Sequence, residues 1–231
     1  FFQELQTKLF NMTDYVRDTV KHYVNVTGQH NSKAAATPFA PDGSLLPQDD
    51  EARGELAASA CSVLMKALWV GRLARPDVIK AINDMACHIQ KWSRNDDKRL
   101  ARLMGYLWSA RDFKLKAQVL DPVDDLEILL YVDADFSGEV EHTRSTSGAI
   151  LVLWGPKGTW VQLAWLTKRQ TATSRSTTES EVVALAYALF GEAFPQIELW
   201  SLLLGREMHL RIMEDNQACI KVCEAGYSPK L

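Results

Sequence analysis

At Asp121 the hydrophobic period of this 231-residue chain changes, and no other feature limits its possible folds as strongly. Upstream, apolar residues recur every three or four positions. Downstream, in "LEILLYVDADF", Leu126, Ile128, Leu130, Val132, Ala134 and Phe136 alternate with Leu129, Tyr131, Asp133 and Asp135. The first spacing stacks side chains along one helix face, and the second sends them to opposite faces of a strand. A mainly helical part over residues 1–120 and a sheet-containing part over 121–231 are therefore expected.

Within the first part, Val16, Val20, Tyr23 and Val24 predict a helix over 13–28, from a Thr13 cap to a terminating Gly28. Residues 31–50, rich in Pro, Ser, Asp and Gly, predict a loop. Three more helices follow: the apolar "GELAASACSVLMKALWVGRLA", then "RPDVIKAINDMACHIQKW" with Pro76 in its first turn, then "NDDKRLARLMGYLWSA" capped by Asn95. Within the second part, "SGAILVLW" and "TWVQLAWL" predict a hairpin turning at "GPKG". The polar link "TKRQTATSR" leads to a long helix from Thr177, bent near Gly191 to Pro195 and stopped at Gly205. "MHLRIMED" reads as a short strand and "NQACIKVCEAG" as a last helix. The fold class is α/β, with the order strand, strand, strand, helix, strand, helix.

Composition narrows the classes. With 47% apolar and 24% charged residues the chain matches soluble globular proteins rather than disordered ones. No run approaches the roughly eighteen uninterrupted apolar residues of a membrane-spanning helix. "FFQELQTKLFNMTD" lacks the basic start and apolar core of a signal peptide, and a chain beginning at Phe1 reads as a piece of something longer. Four cysteines without a CxxC pair fit a reducing, intracellular compartment, and Cys219 and Cys223 read as buried thiols. The net charge of −3 hides a division: Arg72–Lys116 carries eleven Lys or Arg against five Asp or Glu, whereas Val119–Glu141 carries eight acids and no Lys or Arg. Cations suit phosphate oxygens and carboxylates suit metals, so the pair of stretches fits a phosphate-holding surface beside a metal site; two solvated faces of opposite sign fit the charges equally well.

Three acids can be brought together by ordinary topology. If the strand ending near Asp215 lies parallel to the one carrying Asp133, a right-handed crossover through the long helix hangs that helix's first turns over the carboxyl edge of the sheet. Those turns hold "STTESE". Ser176 and Glu179 have capping-box spacing, and Glu181 stands roughly 200° farther round the axis, so Glu179 is assigned to the cap and Glu181 to the site. Thr178 and Glu181 share the same capping spacing. Three gathered carboxylates repel by about 4 kcal/mol per pair at ~4 Å and an effective dielectric near 20, which a cation must offset. Oxygen ligands without His or Cys select Mg²⁺ or Mn²⁺, and a pair of such ions supports phosphodiester hydrolysis.

"YVDADFSGEVEHTRSTSG", "TKRQTATSRSTTESEVVALA" and "MEDNQACI" resemble, in order and spacing, the RNase H region of copia-type LTR retrotransposon polyproteins. "LMKALWVGRLARPDVIKAI" and "RLARLMGYLWSARDFKL" resemble the segment that joins the polymerase to RNase H, and "ATPF" at 36–39 resembles the family's short Thr-Pro element after an earlier helix. The resemblance implies an RNase H-like mixed sheet flanked by helices, truncated at its C-terminus and preceded by a reverse transcriptase thumb or connection-like remnant. It implies two Mg²⁺ or Mn²⁺ ions held by the catalytic residues Asp133, Glu181 and Asp215, with Asp135 as a supporting acid and a fourth acid beyond Leu231. RNA:DNA hybrid is the implied substrate, with Lys168, Arg169 and Arg175 on its phosphates, and the rest of the retroelement polyprotein is the implied partner, in cytoplasmic particles or the nucleus, with no membrane. The polymerase's Y-x-D-D strand has no counterpart in residues 1–120, so polymerisation is not expected. The competing reading is a catalytically inactive nucleic-acid-binding or connection fragment; a third is another nuclease or transposase on the same fold.

Overall fold

The computed structural model describes residues 7–28, 33–41, 43–136 and 144–227. Two compact units divide the chain, Leu9–Leu115 and Lys116–Leu231 together with Phe1–Lys8. Residues 137–143 of the "YVDADFSGEVEHTRSTSG" stretch, and 31, 32 and 42 of the expected loop, lie outside the described residues.

The unit 9–115 is built from helices α1 (Thr13–Thr27), α2 (Gln48–Glu51), α3 (Ala60–Leu73), α4 (Ile79–Cys87) and α5 (Arg94–Ser109). Val16, Val20, Leu64, Ile82, Leu100, Leu103 and Leu107 meet in one core, as the helical spacing requires. Gly28 ends α1 in the left-handed conformation that glycine tolerates best (φ 66°). Three expectations need correction. The cap of α1 is not Thr13, because the Asn11 carboxamide oxygen accepts the Thr13 N–H at 3.0 Å. The loop over 31–50 closes with the short helix α2. The cap of α5 is Ser93 rather than Asn95: the Ser93 hydroxyl accepts the Asp96 N–H, the Asp96 carboxylate accepts the Ser93 N–H, and the Asn95 side chain instead donates to the Leu46 carbonyl at 2.8 Å.

The other unit is a mixed sheet in the order β1-β2-β5-β4-β3-β6, open at its edges and flanked by helices. Strands β3 (Glu127–Asp135), β4 (Thr146–Trp154) and β5 (Trp160–Arg169) form an antiparallel meander, and β6 (Leu210–Met213) runs parallel to β3. Strands β1 (Thr7–Phe10) and β2 (Leu115–Gln118) are not anticipated from sequence; with four residues each they are too short to show alternation. The hairpin between β4 and β5 is tied by Asp121, whose carboxylate accepts the Lys157 and Thr159 N–H groups at 2.7 and 2.9 Å. Any side chain at Gly155 would collide with that carboxylate.

Helix α6 (Thr177–Ala188) continues through a π-turn (Leu189–Ala193) into α7 (Phe194–Leu204). Leu126, Ile128, Leu130, Val132 and Ala134 are buried against Ala184, Leu185 and Ala188, so α6 covers the face that these alternating residues share. The expected bend is thus a π-turn, with Pro195 in the first turn of α7 and Gly205 as the left-handed stop. This continuity makes 177–204 a 28-residue helix whose most apolar 18-residue stretch has a mean hydropathy of 1.3, long and apolar enough by length and composition alone to cross a membrane, although no uninterrupted apolar run predicts it. Phe190, Leu202 and Leu203 on it are exposed. Helix α8 (Gln217–Ala225) follows β6.

Candidate metal centre

The parallel pairing of β3 and β6 covers residues 128–131 and 210–213 and goes no farther. Among the described residues no strand lies beside residues 132–135 of β3 on that side, and the Ala134 N–H lies against the Glu181 carboxylate. Glu181 reaches this gap because α6 starts at the same edge. Its first turn is organised by Ser176, whose hydroxyl accepts the Glu179 N–H at 3.1 Å, while the Glu179 carboxylate accepts the Arg175 N–H at 2.6 Å. Glu179 is occupied by capping, and Glu181 turns inward to 6% exposure.

Asp133 stands on the face of β3 opposite α6's core contacts, and its rung partner on β4 is Gly148, which contributes no side chain beside the carboxylate. Asp215 lies two residues beyond β6. The cap of α8 is Asn216, whose side-chain oxygen accepts the Ala218 and Cys219 N–H groups at 3.0 Å, so Asp215 is not consumed by capping. One carboxylate oxygen each from Asp133, Glu181 and Asp215 lies within 4.8 Å of the others.

Such crowding is costly without a counter-ion. Burial pushes the Glu181 carboxyl up, the charges of Glu214, Asp133 and Asp215 push it further, and only the Ala134 N–H opposes them, leaving it at about 7. Among the described residues its Oε2 is buried without a hydrogen-bond partner. An orphaned carboxylate oxygen facing two other carboxylates, with no His or Cys in the set, fits a hard divalent cation, and these three residues can hold one.

Glu214 was not anticipated. Burial raises its carboxyl, Asp215 and Asp133 add to the rise, and the Asn216 N–H, 2.9 Å from Oε1, opposes it; Oε2 is buried without a partner. The only sequence signal was its adjacency to Asp215. Asp135 is exposed and does not join the three that converge. Lys168 and Arg169 occupy rungs two strands from Ala134 and Asp135, at the same end of the sheet as the acids, and the Lys168 ammonium sits 4.0 Å over the Tyr187 ring. Arg175 is exposed just before α6. Of the thiols read as buried, Cys219 is buried, its proton held up to about 12 first by that burial; Cys223 is exposed, because it lies one turn farther along α8.

A sheet edge at which two strands and a helix start present carboxylates to one pocket defines a candidate cation-binding site in an α/β protein. The chain is 26% identical over 167 residues to the "Retrovirus-related Pol polyprotein from transposon RE2" of Arabidopsis thaliana, covering 69% of this chain and 10% of that polyprotein. It is 25% identical over 162 residues to the corresponding polyprotein "from transposon TNT 1-94" of Nicotiana tabacum, covering 67% and 11%. It is also 29% identical over 130 residues to "Secreted RxLR effector protein 161" of Plasmopara viticola, covering 56% and 84%. No family model matches the chain. The chain spans about a tenth of the transposon polyproteins it matches, and this low-identity similarity supports a fragment of a retrotransposon polyprotein.

Proposed function

We propose that the chain joins the C-terminal part of a copia-type reverse transcriptase to its RNase H domain, and that its acidic site hydrolyses the RNA strand of RNA:DNA hybrids with Mg²⁺ or Mn²⁺. The observation that carries this reading is the convergence of Asp133, Glu181 and Asp215 within 4.8 Å, with Glu181 buried and its Oε2 without a hydrogen-bond partner among the described residues. When bound, divalent metal supplies water activation and stabilisation of the leaving oxygen. Asp133 and Asp215 reach into the site from exposed positions, where substrate phosphate has access. Glu181 is held from behind by the Ala134 N–H, which favours its charged, ligating form. Lys168, Arg169 and Arg175 hold hybrid backbone through phosphate contacts, which position the duplex without reading sequence.

The test is a labelled RNA:DNA hybrid incubated with the full chain in Mg²⁺, Mn²⁺ or chelator, beside duplex DNA and duplex RNA. Hybrid is cut in either ion and not in chelator. Asp133→Asn, Glu181→Gln and Asp215→Asn each slow cleavage by about a thousandfold or more, the rate equivalent of several kcal/mol, with the fold intact by circular dichroism. Full cleavage by the Asp133→Asn protein sinks the reading. Salt-dependent binding of hybrid without cutting in either ion identifies an inactive binding fragment instead.

A further inference from the structure

Gln170 lies just beyond β5, is 5% exposed, and has no part in the chemistry above. Its amide nitrogen donates to the Ser147 hydroxyl at 3.0 Å and to the Ser180 carbonyl at 2.9 Å, and its amide oxygen accepts the Ser174 hydroxyl at 3.0 Å. Its backbone N–H donates to the Ser145 carbonyl at 2.9 Å, continuing the β4–β5 ladder. Ser145, Ser147, Ser174 and Ser180 are all buried. The orientation of the amide is determined by these partners, since a carbonyl acceptor requires the nitrogen and the reversed amide would set oxygen against oxygen.

The two residues bridged by the amide nitrogen are the immediate neighbours of the acidic site. Ser180 precedes Glu181 in the first turn of α6, and its carbonyl belongs to the peptide unit that leads into Glu181. Ser147 is the rung partner of Ala134, whose N–H lies against the Glu181 carboxylate. A closed circuit therefore runs from Glu181 to Ala134, across the rung to Ser147, through Gln170 to Ser180, and back to Glu181. Beyond the Glu181–Ala134 and Lys168–Tyr187 contacts, helix α6 packs on the sheet through apolar side chains, which tolerate sliding; the directional bonds of Gln170 do not.

We infer that Gln170 is a positioning residue, which fixes the first turn of α6 against β4 so that Glu181 meets Asp133 and Asp215 at ligand distance. The inference rests on the metal-site reading and deepens it. Polar groups standing behind metal ligands are worth about 10–100-fold in metal affinity or activity when lost. A role confined to holding the 170–176 loop would lower the melting temperature and leave the affinity of the folded protein for metal unchanged.

The experiment uses the full chain and Gln170→Met, which keeps the length of the side chain and removes its hydrogen bonds. Mn²⁺ binding is measured by titration calorimetry, thermal unfolding is measured without metal, and hybrid cleavage is assayed alongside. Gln170→Met binding Mn²⁺ about tenfold or more weakly than wild type, with native circular dichroism, is the expected result. Affinity within about twofold of wild type overturns the inference, whatever the change in melting temperature. Should Gln170→Met not fold, Ser147→Ala removes one anchor only and decides by the same criterion: weakened Mn²⁺ binding supports the role and unchanged binding overturns it. Wild type that binds Mn²⁺ but leaves hybrid intact defeats the nuclease reading while the affinity comparison still decides Gln170; wild type that binds no Mn²⁺ defeats both.

Discussion

Glu181 is the residue whose state most depends on its surroundings. Its carboxyl is raised from 4.5 to about 7, so it binds a proton more tightly in the folded protein than in the unfolded chain. The stability this contributes is fully present below about pH 4.5 and is lost as pH rises through 7. Metal-free protein accordingly melts at a lower temperature at pH 8 than at pH 5, and both saturating Mg²⁺ and Glu181→Gln flatten that slope; scanning calorimetry across the range checks it. A slope that survives Glu181→Gln would place its source elsewhere. Glu214→Gln, removing the largest of the neighbouring charges acting on Glu181, shifts the Glu181 titration toward ordinary values in carboxyl-resolved NMR. The three converging acids were legible because strand alternation, helix phase and a right-handed crossover each constrain one of them. Glu214 was not legible, since its burial depends on how the chain turns after β6, which no period encodes.

Among the elements, α5 shows how a cap is decided by side-chain reach. Asp96 is buried, which disfavours its charge, yet His88, the Ser93 backbone and hydroxyl, and Arg99 together outweigh that and hold its carboxyl down at about 2. A carboxyl depressed from 3.8 adds stability above that value and loses it as pH falls through 2. Asp96→Ala is expected to cost about 2 kcal/mol in urea denaturation at pH 7, through the lost capping box and the loss of the partner of the half-buried Arg99, and to reduce acid sensitivity below pH 4. Asn95 and Ser93 are both good caps by type. Sequence alone could not rank them, because the choice turned on Asn95 reaching the distant Leu46 carbonyl. The long strands and helices were readable from their period; β1 and β2 were not, since residues paired at a sheet edge over one turn's length carry no repeat.

For the whole molecule, the packing divides at residues 115/116, with residues 1–8 grouped with the later unit, and among the described residues each unit has an apolar core of its own. Residues 9–115 expressed alone are expected to give a cooperative helical melt, since their core is drawn from that unit only. Hybrid binding by the full chain should weaken with salt, and Lys168→Ala or Arg175→Ala should each reduce the logarithmic salt slope by about 1 while affecting all sequences alike. An unchanged slope in both would remove these cations from the duplex-facing surface. The shortness of β6 has its own implication. Had that strand run on beside residues 132–135, the sheet would be more completely laddered, and the berth that Glu181 occupies would be filled by backbone. Extending β6 by redesign should therefore yield a sturdier protein with nowhere to seat an ion, an exchange in which vacancy in the ladder is the resource.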